Sequence, residues 1–492
     1  MKILGLHIKS HDTAVAYLQD NKVKYIVGNE RLSRIKMDGE APILALRRCL
    51  QDNHIQAEEL NIVATAGARI FPKMKEELRG FKGKFRFVSH HLSYLSSAYY
   101  LSGWRECLVG VIGGTGSPQA MAFYKAKNGK FELLAESLMP HSAGNFYALI
   151  TIILGFDPYR HPGKITGLAA YGNPDIAYAK VKALLGVDGL ALRLNYPLYR
   201  RCLDDYRAHK RIPPYFSGCQ PQDLAAAFQK RLEECILEIL SQVVKATGLR
   251  NIALAGGVTA NVRLNQKISE LKEIDEVYIH PGMGDVGLAL GAALYVAAQQ
   301  GYTFTRLQNL FLGPEYSKKE IELALKKSGL RYKKIERIEE KAAELLSEGK
   351  VVARFAGRLE YGPRALGNRS ILYQTTDTSV NDWLNKKLRR SEFMPFAPVT
   401  LAEFADKCYQ NIDGNGYTAK FMTITFNSTD YMQKVSPAVV HIDGTARPQI
   451  LSKEDNPRFY KILKSYHKLT GIPNLINTSF NIHEEPIVCS AD

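Results

Sequence analysis

The sequence predicts an α/β protein built from two related halves and followed by a smaller, more charged α/β unit. Three observations carry this. Strand-like runs ending in glycine-rich loops occur in both halves, with helical segments between them. A long amphipathic segment, residues 222–248, closes on Gly248 and feeds straight into a strand. After about Gly313 the pattern changes to short charged helices and a new strand.

Taken in order, residues 2–8, 12–18 and 22–28 read as three strands, with Asp20-Asn21 as a hairpin turn. A helix over 41–53 and a strand over 61–67 follow. Residues 106–116 form a strand running into the loop Gly113-Gly114-Thr115-Gly116, and residues 120–137 form a hairpin about Asn128-Gly129. The long helix then leads to a strand and glycine loop at 251–261. A further strand, glycine loop and helix occupy 276–300. Residues 317–330 and 335–350 are short charged helices, and 350–357 opens another strand. A boundary near 311–335 divides the chain into 1–320 and 321–492.

Composition bounds the function. The 492 residues, 46% hydrophobic, suffice for two or more cores. No apolar run approaches the roughly 18 residues of a membrane span, and His7, Lys9, His11 and Asp12 interrupt any signal-peptide pattern at the start. Seven scattered cysteines without a C-x-x-C pair point to a reducing, cytoplasmic setting. The net charge of +16 favours an anionic partner such as a nucleotide or nucleic acid.

Several stretches carry candidate chemistry. The loops at 5–14, 111–119 and 254–266 suit backbone contact with phosphates, although strand–helix turns need glycine anyway. His90 opens a helix and could bind metal or phosphate, or be structural. Asp285 in a glycine loop is either a metal ligand or a helix cap. Lys164 on a Pro-Gly turn is either a phosphate contact or a surface lysine. The most specific stretch is 353–370, which packs Arg354, Arg358, Arg364 and Arg369 around Gly362-Pro363, with Glu360 as its one acid. Guanidinium forks on so tight a turn suit an anion.

Taken together, HDTA (11–14), NERLSR (29–34), HPGKITGLAAYG (161–172), LAGGVTANVRLN (254–265), GPRALGNRS (362–370), PFAPV (395–399), ARPQ (446–449) and NTSFNIHEEPIV (477–488) occur in the order found in the O-carbamoyltransferase family of the nodulation and antibiotic-tailoring type. The whole chain resembles that family. The resemblance implies an actin-like, sugar-kinase-like duplicated domain over 1–320 and a YrdC-like domain over 321–492. It implies that carbamoyl phosphate and ATP give carbamoyladenylate, whose carbamoyl group passes to an acceptor hydroxyl beside a divalent metal, iron or magnesium. His11, with Asp12 and Lys164, would be catalytic, His11 as general base. His90 and Asp285 would hold the metal. Gly256, Gly257, Asn261, Arg358, Arg364, Arg369, Arg447, Asn477, Ser479 and Asn481 would bind nucleotide and carbamoyl phosphate.

Departures accompany the match. Tyr94 stands where the family has the second histidine of H-x-x-x-H, and Gly113 where it has a metal-binding aspartate. Leu388 and Met394 replace a lysine and an arginine, and His483-Glu484-Glu485-Pro486 replaces R-G-E-P. Either the contacts have been rebuilt in an active enzyme, or the fold has become a pseudoenzyme or partner subunit. Residues 71–87 and 196–216 interleave basic and aromatic side chains. They suit a nucleic-acid acceptor with a hydroxymethyl-pyrimidine, or are plain basic surface. A small sugar or antibiotic-like hydroxyl is the alternative acceptor, and a homodimer is left open.

Overall fold

The structure, a computed structural model, describes residues 1–68, 72–389 and 395–491; Phe71, Arg390, Met394 and Asp492 fall outside them. The first sheet holds β1 (Lys2–His7), β2 (Ala14–Gln19), β3 (Lys22–Gly28), β4 (Ile62–Ala66) and β5 (Lys84–Val88) in the order β3-β2-β1-β4-β5. β1–β2–β3 is an antiparallel meander, while β4 and β5 run parallel to β1. The second sheet uses β6 (Glu106–Ile112), β7 (Gln119–Lys127) and β8 (Lys130–Leu138). A small hairpin of β9 (Leu185–Asp188) and β10 (Ala191–Leu194) follows, then β11 (Asn251–Ala255) and β12 (Glu276–Ile279). Its order, β12-β11-β6-β7-β8, and its strand senses repeat those of the first sheet. One topology thus occurs twice, the actin-like duplication. Both hairpin turns are set by residues that tolerate left-handed backbone: Asp20 at φ 55°, and Asn128 and Gly129 at φ 49° and 76°.

Two helices lie between the sheets, His90–Leu101 after β5 and Leu288–Gln299 after β12. Both are buried nearly all round, so neither shows a polar face. Their closeness depends on small residues. A Cβ at Gly291 would lie 1.8 Å from the carbonyl oxygen of Ser93, a backbone atom that cannot swing aside. Gly291→Ala is therefore expected to destabilise. The gain in helix propensity, about 1 kcal/mol, is outweighed by overpacking, for a net loss of about 2 kcal/mol. A lowered urea midpoint would show this; an unchanged or raised midpoint would refute the account.

The C-terminal part forms a third sheet. Its strands are β13 (Val352–Phe355), β14 (Arg369–Tyr373) and β15 (Pro398–Leu401). A short ribbon of β16 (Phe426–Asn427) and β17 (Thr445–Ala446) precedes β18 (Gln449–Leu451) and β19 (Asn474–Ser479). The order is β13-β14-β19-β15-β18, with β15 and β18 parallel and the other pairs antiparallel. The helices Ile338–Ser347 and Pro457–Thr470 pack on one face, and Val380–Lys387 contributes to the core on the other. The charged helix Lys318–Ser328 is capped by Ser317 and Glu320 and buries none of its residues.

The third sheet is not a separate bead. Leu359 and Ala365 enter the core around the first sheet, with Ile487 and Cys489, while Tyr361 and Leu366 enter the core between the two sheets. Arg31 donates to the Gly362 carbonyl, and Arg34 to those of Pro486 and Ile487. The arginine stretch is thereby pinned against the actin-like part. All seven cysteines are free and six are buried. No helix among the described residues is long and apolar enough to cross a membrane.

Candidate active site

The first chamber opens at the C-terminal ends of the parallel strands, the usual place for ligands in open α/β sheets. β1 ends on His7, and the β1–β2 turn presents His11 and Asp12. β5 leads to His90, which Ser89 places by capping its helix. β6 runs into Gly113, and the turn after β12 carries Asp285. Ser10 and Asp12 hold left-handed backbone at φ 89° and 59°, a strained turn that fixes the His11 side chain between them. Gly256 sits at the end of β11 with φ 102°. A Cβ there would lie 2.4 Å from the Ile112 carbonyl oxygen, so the loop needs glycine.

Asp285 is the hub. Tyr94 Oη donates a short hydrogen bond to its Oδ1. His90 Nε2 stands 3.8 Å from Oδ1, and His7 and His11 Nε2 stand 3.6 and 3.7 Å from Oδ2. Burial pushes the Asp285 carboxyl upward, but His7, His11 and His90 outweigh it and hold its pKa well below the usual carboxylate range. Burial lowers the His11 pKa, yet Asp12, 3.1 Å from its Nδ1, and Asp285 reverse this and raise it above 6.5. Burial lowers that of His90, and burial with Asp285 carries the Tyr94 phenol well above 10. The site thus holds a base in reach of a cavity, beside a fixed anion. The cavity, about 620 Å³, is lined by His11, Asp12, His90, Tyr147, Asn261 and Arg207 among others.

Asn261 is partly committed. Its Oδ1 caps the following helix at Leu264 N, and its Nδ2 donates to Gln229. Gly257 lines the chamber beside it.

The second chamber, about 300 Å³, lies between the actin-like part and the third sheet. Lys164, Arg364, Arg447, Asn477, Ser479 and Asn481 line it. Lys164 is only 5% exposed, and its Nζ lies 5.4 Å from the Phe156 ring, so it is no surface lysine. Asn477 donates to Gln449 and Ala365 while its buried Oδ1 has no hydrogen-bond partner.

The structure corrects two expectations from the arginine stretch. Arg358 spends its guanidinium on the carbonyls of Lys24, Leu312 and Gly313. Arg369 is fully buried, donates to the carbonyls of Ala356, Gly357 and Asn368, and stacks on Phe355. Neither lines a chamber. Both are tertiary clamps, as is Arg354 on Gly367 and Asn368. Lys164, expected as a phosphate contact and named with His11 and Asp12 as catalytic, lines the second chamber and not the first. Leu388 is buried in the core of the third sheet and Lys387 sits over Trp383, so neither faces the chamber; Met394 lies outside the described residues.

Residues missed in the sequence complete the picture. Lys36 lines both chambers, and burial lowers its pKa. His7 had no motif to single it out. Glu484, in place of the expected glycine, binds His161 at 2.7 Å and Arg160 at 3.2 Å across the rim. His161, His483 and Glu484 also bring three donor atoms within 4.8 Å, the spacing of a metal centre. The chemistry argues for a hydrogen bond to the Glu484 carboxylate instead. The backbone N–H of Asp157 donates to His161 Nδ1, so the proton sits on Nε2, which donates it to Glu484 and has no lone pair for a metal.

Fold and site define an actin-like α/β protein whose strand-end chamber adjoins a second chamber rich in cations. Sequence comparison agrees. Residues 50–294 match a family described as Carbamoyltransferase N-terminus and residues 343–492 one described as Carbamoyltransferase C-terminus. The uncharacterized protein MJ1058 of Methanocaldococcus jannaschii is 32% identical over 510 residues, covering 98% of this chain and 81% of that protein. Nodulation protein NolNO of Sinorhizobium fredii is 31% identical over 523 residues, covering 98% and 75%. Among solved structures, HypF of T. kodakarensis matches 62% of this chain and 48% of its own, at TM-score 0.42 and 12% identity. The chain belongs to the carbamoyltransferase family and is a transferase of carbamoyl groups.

Proposed function

We propose that the protein is an ATP-dependent O-carbamoyltransferase that works in two stages, divided near residue 320. In the second chamber, carbamoyl phosphate and ATP yield carbamoyladenylate. In the first, the carbamoyl carbon is attacked by an acceptor hydroxyl, and AMP leaves. Mass balance requires carbamoyl phosphate, ATP, one water and the acceptor hydroxyl to give the carbamoylated acceptor, AMP, pyrophosphate and phosphate.

The observation that carries this reading is a shared wall. Lys36, Arg160, Thr166 and Arg364 line both chambers. Three cations on the common boundary suit the passage of an anionic adenylate from one to the other. Lys164, Arg364 and Arg447 neutralise phosphate charge, and the Asn477 amide orients the carbamoyl donor. His11 takes the proton of the acceptor hydroxyl, with Asp12 and Asp285 fixing its ring. His90 and Asp285 would hold a divalent metal, which would polarise the carbamoyl oxygen when bound.

The first chamber favours a discrete acceptor of sugar or nucleoside size. Tyr147, Tyr159, Tyr199 and Leu203 form its walls, with Arg207 beside them. Of the two basic–aromatic stretches, the second contributes through the helix Tyr196–His209, and no described residue of the first lines either chamber. Phe85 and Phe87 lie exposed on β5 and line neither chamber, which weighs against a DNA track running into the site.

The test is to supply carbamoyl phosphate, ATP and a divalent metal with hydroxylated acceptors. These would be sugars, free nucleosides and an oligonucleotide containing 5-hydroxymethyl-pyrimidine. A carbamoyl-for-hydrogen mass gain that needs both cosubstrates is expected on the small acceptors. Gain on the oligonucleotide alone would reverse the acceptor reading. Transfer from carbamoyl phosphate without ATP would overturn the adenylate route.

A further inference from the structure

One wall of the first chamber ends in a cation that its own helix does not use up. On Tyr196–His209, Tyr199, Leu203 and Arg207 recur every fourth residue and so share one face, and all three line the chamber. Tyr199 and Leu203 are buried, whereas Arg207 is exposed. The row runs about 12 Å, from apolar side chains to a guanidinium at the solvent edge. That guanidinium stands 3.7 Å from Asp204, which also faces Arg200 at 3.6 Å. Both gaps exceed hydrogen-bond length, and two arginines sharing one exposed carboxylate keep a net positive charge.

Tyr159 supplies a second surface. Its residue is 60% exposed, yet the loop that carries it is tied down. Asp157 Oδ1 accepts the backbone N–H groups of Tyr159 and Arg160, and the Asp157 N–H donates to His161 Nδ1. The Tyr159 ring lines the chamber and lies 5.3 Å from the His11 imidazole, centroid to centroid. Burial raises the Tyr199 phenol pKa; Tyr196 and Tyr159 add to this, and Arg207 and Arg200 oppose it, so the rings and the guanidinium share one neighbourhood. An aromatic face held open beside the base is a stacking platform for a ring.

We propose that the acceptor is a ring compound bearing a phosphate monoester, either a sugar phosphate or a nucleotide. Its ring stacks on Tyr159, its hydroxyl meets His11 and its phosphate meets Arg207. A guanidinium offers phosphate two parallel N–H donors, which a neutral acceptor leaves unused. Arg207 lines the first chamber and not the second, so this cation is separate from Lys36, Arg160 and Arg364 on the shared wall. The net charge of +16 agrees with an anionic acceptor. The proposal rests on reading the first chamber as the acceptor site, but its first test does not use turnover.

The full chain is dialysed to equilibrium, without carbamoyl phosphate or ATP, against two pairs of probes. These are 5-hydroxymethyl-2′-deoxycytidine with its 5′-monophosphate, and glucose with glucose 1-phosphate. In one pair the phosphorylated member should bind about tenfold tighter, and the pair that shows this identifies the source. Arg207→Gln should bring the two members close to equal affinity, and Arg207→Lys should keep part of the preference. Tyr159→Ala should weaken both members by about fivefold or more, with Tyr159→Phe restoring them. Equal affinity within both pairs would overturn the proposal, as would a preference that survives in a folded Arg207→Gln protein. A preference lost in Arg447→Ala instead would put the phosphate in the second chamber and overturn it too. Transfer assays on the same pairs separate the two readings. Discrimination at Arg207 without carbamoyl gain on any acceptor would count against the transfer reading alone, and equal kcat/KM for both members of each pair against this one alone.

Discussion

Arg369→Ala is expected to unfold the C-terminal unit, while Arg364→Ala, five residues away in the same motif, is expected to leave the fold intact and remove activity. Arg369 is fully buried and satisfies three backbone carbonyls of its own turn. Nearby Glu360 is buried too, and its Oε1 accepts the backbone N–H groups of Leu366, Asn368 and Arg369. Removing the guanidinium strands the carbonyls and takes away one of two cations near that carboxylate, Arg354 being the other. A cost of about 3–5 kcal/mol follows, a large share of a typical domain's stability. Arg364 is half-buried at the wall between the chambers. Its loss should cost under about 1 kcal/mol in stability but about 10²–10³-fold in carbamoyl-phosphate-dependent AMP release. Urea melts and AMP assays on both variants decide the matter. A stable but inactive Arg369→Ala protein would return Arg369 to the anion site.

The second large effect concerns His11. His11→Asn keeps a polar side chain but no base, and carbamoyl transfer should fall by about 10²–10⁴-fold. AMP and pyrophosphate should still form, because the residues of the second chamber are untouched. Loss of both half-reactions would place His11 elsewhere in the chemistry. The pH profile supplies an independent check. Burial alone would lower the His11 pKa, but Asp12 and Asp285 raise it above 6.5. A base acts when neutral, so transfer should decline as pH falls through this raised value, with its inflection above 6.5. Asp12→Asn removes the strongest raising partner and should move the inflection toward lower pH.

The arginine stretch shows how much of the site was legible. Four arginines around Gly362-Pro363 read as one anion cluster, yet Arg354, Arg358 and Arg369 are consumed by carbonyls and Arg364 alone of the four reaches a chamber. A guanidinium has the same fork for a phosphate as for a buried turn, so residue type could not separate the two uses. Lys164 was legible as a phosphate contact, but its burial over Phe156 was not. His7 escaped notice because alternation in β1 marks it as an inward strand position and nothing more.

Local pattern determined a good deal by itself: the hairpins at Asp20 and Asn128, the glycine loops at strand ends, the long helix closing on Gly248, and the repeat of strand, loop and helix that makes the fold a duplication. These are governed by residues within a few positions of each other, through backbone preference and periodicity. The tertiary structure alone decided which polar groups converge. His7, His11, Tyr94, His90 and Asp285 come from three separate stretches and meet because parallel strands bring their C-terminal ends together. The shared wall of Lys36, Arg160 and Arg364 exists because Leu359 and Leu366 anchor the C-terminal unit in the actin-like cores. Contacts between residues hundreds of positions apart depend on how whole layers pack, and no local periodicity encodes that.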